Sequence, residues 1–277
     1  MQRSNIDSYV PNYPLTIFAA AIFSLSLILH LGQIYAYRTW YFITIPIGLI
    51  LEIMGYICRS MSAHVNPYNV LYFVLQYFFI VTAPVFLSAG IYAILSILIS
   101  RTSATYSVLS PKTILWVFIT SDVVTTAAQI SGAALVGSAQ SKQRDPTTGK
   151  NILLGGLAIQ VAITFVFLVL LFLFLQKSRG VLMAKNGKKA FVISFVVATL
   201  LVYLRTCFRL AEVAQGLSSY LFTHEAFFAG LEFAPIACAM LLFNIWHPGR
   251  CLRNTQEDAG EHPTEAEGLQ IDTDVKA

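Results

Sequence analysis

Charge is what this chain has least of. Only 12% of its 277 residues are Asp, Glu, Lys or Arg, about half of the roughly 25% found in soluble domains. A water-facing surface cannot be built from so few charges, and a soluble fold is excluded. A disulfide framework is lacking too. The four cysteines, Cys58, Cys207, Cys238 and Cys251, fall within or directly after apolar runs, and no pair has zinc spacing. Cys251 sits beside a membrane exit, as a free thiol or a palmitoylation site. No N-x-S/T glycosylation acceptor and no G-x-x-x-x-G-K-S/T phosphate loop occurs, so the chain holds no ATP-driven pump. The histidines spread out: His30 and His247 near one membrane face, His64 and His224 near the other, His262 in the tail. No three of them converge on a metal, which argues against a zinc hydrolase within the membrane. Neither cofactor nor nucleic acid is called for.

What is present in quantity is apolar sequence, at 56%. A membrane span needs about 20 mostly apolar residues to cross a core about 30 Å thick. Seven such runs occur, at 14–36, 41–59, 69–99, 113–137, 152–176, 190–213 and 225–246. The expected fold is all-α, a polytopic seven-transmembrane-helix bundle over 14–247. A short outer tail precedes it at 1–13, and an acidic, disordered cytoplasmic tail follows at 248–277. The third run is longer than a span requires, and tilts or bends at Pro84. Small residues at Ala133 and Gly137, and at Gly155-Gly156, suit close helix approach.

Orientation follows from loop lysines and arginines. With the N-terminus outside, Arg38, Arg101, Lys112, Lys177, Arg179, Lys185, Lys188, Lys189, Arg250 and Arg253 lie on the cytoplasmic side. Only Arg3, Arg59, Lys142, Arg144 and Lys150 then lie outside. This places the C-terminus in the cytoplasm.

The informative residues are those a bilayer should exclude. Glu52, Arg59, Asp122, Arg205, Arg209, Glu212, Glu225 and Glu232 fall within or at the ends of apolar runs, joined by Gln76, Gln129 and Gln160. A charge at the bilayer centre costs about 2.5–3.5 kcal/mol on insertion scales, so these side chains should face one another. Seven residues separate Glu52 from Arg59, Asp122 from Gln129, Arg205 from Glu212, and Glu225 from Glu232. That is close to two helical turns, which gives each pair one face. Counted from the helix ends, the set clusters between the midplane and the outer surface, and a cavity is expected there. Five acids against three arginines suit a cationic amphiphile, or a proton carried with the substrate. A set of ion pairs that fixes helix order remains the alternative.

Several motifs carry a resemblance. Span two reads Glu52-x-x-Gly55-Tyr56-x-x-Arg59, and span three Ala83-Pro84-x-Phe86-x-x-Ala89-x-x-Tyr92. Span four gives Asp122 and Gln129-x-x-Gly132, and the next helix Gly156-Leu157-x-x-Gln160. Span six reads Arg205-x-x-Phe208-Arg209-x-x-Glu212-x-x-x-Gly216, and His224-Glu225 and His247-Pro248-Gly249 bracket span seven. In order and spacing these resemble the fungal RTA-like, or lipid-translocating exporter, family, over about residues 9–250. Two positions depart from its pattern: Phe228 replaces an aromatic with a polar tip, and Glu232 replaces an aspartate.

The resemblance implies a fungal membrane protein, expected in the plasma membrane with internal membranes as the alternative, that moves or protects against amphiphiles such as sphingoid bases and aminosterols. Membrane lipids or amphiphilic small molecules are the expected partners. The site is then expected to comprise Glu52, Arg59, Asp122, Gln129, Gln160, Arg205, Arg209, Glu212, Glu225 and Glu232. Asp122 and Glu52, the deepest acids, are the candidates for contact with a cationic head or for proton coupling. A lipid-sensing receptor or a regulator of membrane lipid asymmetry without transport of its own, and an intramembrane enzyme, are the rival readings. Against a G-protein-coupled receptor, Ser100-Arg101-Thr102 and Asn244-Ile245-Trp246-His247-Pro248 stand where its switch motifs would be.

Overall fold

The computed structural model describes residues 13–64, 70–102, 104–182, 186–216 and 225–251. Among these no strand occurs, and seven helical spans are long and apolar enough to cross a membrane. We number them α1 (Tyr13–Tyr37), α2 (Thr44–His64), α3 (Val70–Thr102), α4 (Pro111–Ser141), α5 (Thr147–Leu182) and α6 (Asn186–Gln215). The seventh, α7, starts with one turn at Glu225–Phe227, widens to a π-helix at Phe228–Phe233, and continues as α-helix over Ala234–Ile245. The tails expected at 1–13 and 248–277 lie almost wholly outside the described residues.

Local chemistry sets several boundaries. The Ser110 hydroxyl accepts the Thr113 N–H at 3.2 Å, and Pro111 opens α4 where its missing N–H costs nothing. Asp145 Oδ1 accepts the Thr147 N–H at 2.9 Å and the Thr147 hydroxyl at 2.5 Å, fixing the start of α5. These hydrogen bonds hold the exposed Asp145 carboxyl below the usual carboxylate range. Arg38, with φ of 53°, turns the chain from α1 into the short 3-10 turn Trp40–Phe42. With 36 residues, α5 is about 54 Å long and overshoots the hydrocarbon core at its ends.

Consecutive helices pack side by side, and α7 closes the bundle against α6 and α1. The most buried span is α3, which touches α2, α4, α5 and α6. Phe23, Tyr56, Tyr92, Phe167, Phe195 and Phe243 are fully buried in the core. Outside it, Phe18, Tyr35, Trp116, Val124, Phe165 and Phe172 are exposed. An apolar perimeter of this extent is tolerable only in lipid: this is an integral membrane protein.

The small residues that let α4 and α5 approach differ from the expected ones. A Cβ at Gly132 would lie 2.6 Å from the Leu153 nitrogen, and one at Gly149 would lie 2.8 Å from the Val136 nitrogen. Thus Gly132 and Gly149, not Ala133 and Gly137, let α4 and α5 meet backbone to backbone. Of the Gly155-Gly156 pair only Gly156 packs, against Gln129 and the Thr125 carbonyl, while Gly155 faces open space.

Candidate functional site

Arg205 and Arg209 stand four residues apart on α6 and project from one face. There they share one carboxylate of α7. Arg205 Nη2 donates to Glu232 Oε1, and Arg209 Nε lies 3.5 Å from the same oxygen. Arg209 Nη1 also donates to Glu212 Oε2 at 2.7 Å. The second oxygen of Glu232, Oε2, is buried without a hydrogen-bond partner. Glu52 of α2 lies within electrostatic range of Arg205, Arg209 and Glu232. Further along α2, the Arg59 guanidinium carbon sits 3.9 Å above the centroid of Phe228, and that of Arg209 lies 5.3 Å from the centroid of Tyr77. Such cation–π contacts strengthen where water is excluded. The cluster is formally balanced, with Glu52, Glu212 and Glu232 against Arg59, Arg205 and Arg209, all of them buried.

Pro84 belongs to this site. A proline inside a helix offers no N–H to the carbonyl four residues earlier, here that of Ile80. Arg205 Nη2 supplies the missing donor, at 2.8 Å from the Ile80 oxygen. Neighbouring helices in membranes satisfy proline-freed carbonyls in this way. Gly55 admits the crossing: a Cβ there would lie 2.6 Å from the Ile80 side chain. Pro84 thus anchors a charge, and α3 stays helical on both sides of it.

The polar residues of α4 are placed elsewhere. Asp122 is buried where α4 packs on α3 and α5. The Tyr92 hydroxyl donates to its Oδ2 at 2.8 Å, while Oδ1 has no hydrogen-bond partner. No cation forms a salt bridge with it among the described residues. About two turns on, Gln129 Nε2 donates to Gln160 Oε1 at 2.7 Å, joining α4 to α5. The one pocket expected from the sequence is therefore two sites: a charge-balanced cluster on α2, α3, α6 and α7, and a lone carboxyl with an amide pair on α3, α4 and α5. Depth alone could not separate them. Packing order does, because α4 rests on α3 and α5.

Glu225 opens α7, but its side chain lies outside the described residues. Its expected alignment with Glu232 rested on a spacing of two α-turns, and that stretch crosses the π segment. Pro235 supplies a reason for the widening, since its ring crowds the carbonyl four residues back. There the Ala234 N–H reaches the Ala229 carbonyl, five residues back.

Four aromatic residues were not among the expected site residues: Tyr56, Tyr77, Tyr92 and Phe228. For Tyr56 and Tyr92 a signal existed, as both stand in the quoted motifs beside Gly55 and Ala89. Tyr77 also lines a groove of about 300 Å³ between α3 and α4, with Val74, Phe78, Ile130, Ala133 and Ala134. The groove is apolar and passes the tyrosine that flanks Arg209.

No solved structure matches this chain. Curated relatives do. The chain is 32% identical to a sphingoid long-chain base transporter, RSB1, of Saccharomyces cerevisiae, with 87% of this chain and 72% of the relative aligned. It is 28% identical to the lipid-translocating exporter-like protein RTA1 of Leptosphaeria maculans, over 94% of this chain and 54% of that protein. Against protein RTM1 of Saccharomyces cerevisiae it is 27% identical, over 73% and 65%. The family described as RTA1 like protein matches residues 45–255, which take in every one of the candidate residues. The chain belongs to the RTA1-like protein family.

Proposed function

We propose that this protein translocates amphiphilic lipids or lipid-like toxins, with sphingoid bases and aminosterols as the substrate class, and that it confers resistance to them. The head group enters the cluster of Glu52, Arg59, Arg205, Arg209, Glu212 and Glu232. The tail leaves it along the apolar groove beside Tyr77. One observation carries this reading: Glu232 holds two arginines with one oxygen and keeps the other buried and unused. A cationic head can take that oxygen. An anionic head can take the arginines instead.

Gln129 and Gln160, paired between α4 and α5, and Glu225, at the start of α7, complete the proposed set of substrate-binding residues. The chain sits in the plasma membrane with its N-terminus outside, which puts the cluster in the exoplasmic half. Residues 14–247 do the work, and the acidic tail at 248–277 faces the cytoplasm. The names of the relatives support lipid handling, and the buried ion cluster supports a polar head within the bundle. The cycle makes and breaks no covalent bond of the lipid.

Proteoliposomes containing the purified chain test this with a dye-tagged long-chain base. Translocation should exceed that of protein-free vesicles, fall at least tenfold in Glu232→Gln, and return chemically unchanged lipid by mass spectrometry. Binding without movement would identify a lipid-sensing receptor, and a new lipid product would identify an enzyme. Either result overturns the proposal.

A further inference from the structure

Asp122 does not belong to the charge-balanced cluster, and its surroundings differ in kind. It is 1% exposed, at the contact of α4 with α3 and α5. Among the described residues of α3 the one titratable group that faces it is the Tyr92 phenol, which donates to Oδ2. From α5 the Thr164 hydroxyl and the Phe167 ring pack against Tyr92, the residue that holds Asp122. Neither titrates. Within α4 the Thr125 hydroxyl is turned to the carbonyls of Ser121 and Asp122. The Thr126 hydroxyl, one turn beyond Asp122, has no partner and is buried, as is Asp122 Oδ1.

An ionised carboxylate here would have no salt-bridging cation among the described residues, at a cost of about 2.5–3.5 kcal/mol at the bilayer centre. A proton on Oδ1 removes that charge at a buried oxygen that has no hydrogen-bond partner among the described residues. A metal cation fits less well. Tyr92 already points a hydrogen at the carboxylate, and the Thr125 hydroxyl is committed to backbone carbonyls.

We infer that Asp122 is a proton carrier, separate from the head-group cluster, that couples lipid movement to a proton gradient. The inference rests on the transport reading above. The proton passes from water at one face to Oδ1, and from Oδ1 to water at the opposite face as the helices rearrange. Tyr92 keeps its own proton throughout and holds Oδ2. One proton moves against one cationic lipid, so the exchange carries no net charge.

The test uses the full chain in proteoliposomes with the membrane potential clamped. A one-unit pH step should raise steady-state accumulation of a dye-tagged long-chain base about tenfold for one proton per lipid. In Asp122→Asn the response to pH should vanish while exchange of lipid at equal pH continues. Asp145→Asn, in an exposed loop, should respond like the wild type. Infrared difference spectra of the same samples give a readout independent of flux. A protonated-carboxyl band should be lost in Asp122→Asn and displaced in Tyr92→Phe. Transport indifferent to pH, or driven by sodium instead, overturns the proton carrier and leaves the transport reading standing. Absence of flux in the wild type overturns the transport reading, and the infrared band then decides whether Asp122 holds a proton. A gradient response retained in Asp122→Asn, or a band unaffected by that substitution, refutes the role.

Discussion

Glu232→Gln isolates the contact on which the bundle interior turns. The amide is nearly isosteric and still accepts a hydrogen bond, so the perturbation is the charge. At 3.5 Å from Arg209 Nε, one ion pair is worth about 5 kcal/mol with an effective dielectric near 20. Arg209 keeps Glu212 at 2.7 Å. Arg205 has no second salt bridge among the described residues and is left with the Ile80 carbonyl. The loss should therefore fall chiefly on Arg205, within the range of about 3–5 kcal/mol for a broken buried pair. Unfolding in mixed lipid–detergent micelles, titrated with SDS and followed by the fluorescence of the three tryptophans, measures it. Adding Arg205→Gln should recover part of the loss, with a coupling energy of about 2–3 kcal/mol. A single-mutant cost under about 1 kcal/mol, or a double mutant equal to the sum of the singles, would refute the shared-carboxylate account.

Two further outcomes follow from the helix contacts. Gly132→Leu should force α4 from α5 and destabilise the protein by at least about 1–3 kcal/mol, whereas Gly155→Leu, which faces open space, should be near neutral in the same unfolding assay. Asp145→Ala should fray the start of α5, measured by amide hydrogen exchange at residues 147–150. Because the folded carboxyl titrates below its ordinary value, the wild-type advantage is complete above that ordinary value and disappears as pH falls through the lower folded one.

The bundle was legible because its cause is compositional. Seven apolar runs leave no other way to satisfy the backbone in lipid, and observed helices cover each run. Charge in those runs was legible for the same reason. What stayed hidden depends on which helix lies beside which. The sequence sets Asp122 and Glu52 at one depth, yet Asp122 rests against Tyr92 and Glu52 lies within electrostatic range of Arg205, because α4 and α2 flank different sides of α3. Nothing in the spacing of Glu232 announced that one of its oxygens serves two arginines. Pro84 reads as a possible bend, and only a neighbouring helix could reveal that its effect is to free a carbonyl for Arg205. Glu225 and Glu232 were set on one face by assuming 3.6 residues per turn throughout, an assumption that fails where the helix widens.

That widening gives α7 one more residue than a regular helix needs over the same stretch. A surplus residue of this kind is not tied to its place. Moved along the helix by a turn, it swings each side chain it passes by about 100° while the ends stay fixed and the length hardly changes. Glu232 lies inside the surplus. The direction in which the arginines find their common acid is thus set by where a single spare residue comes to rest.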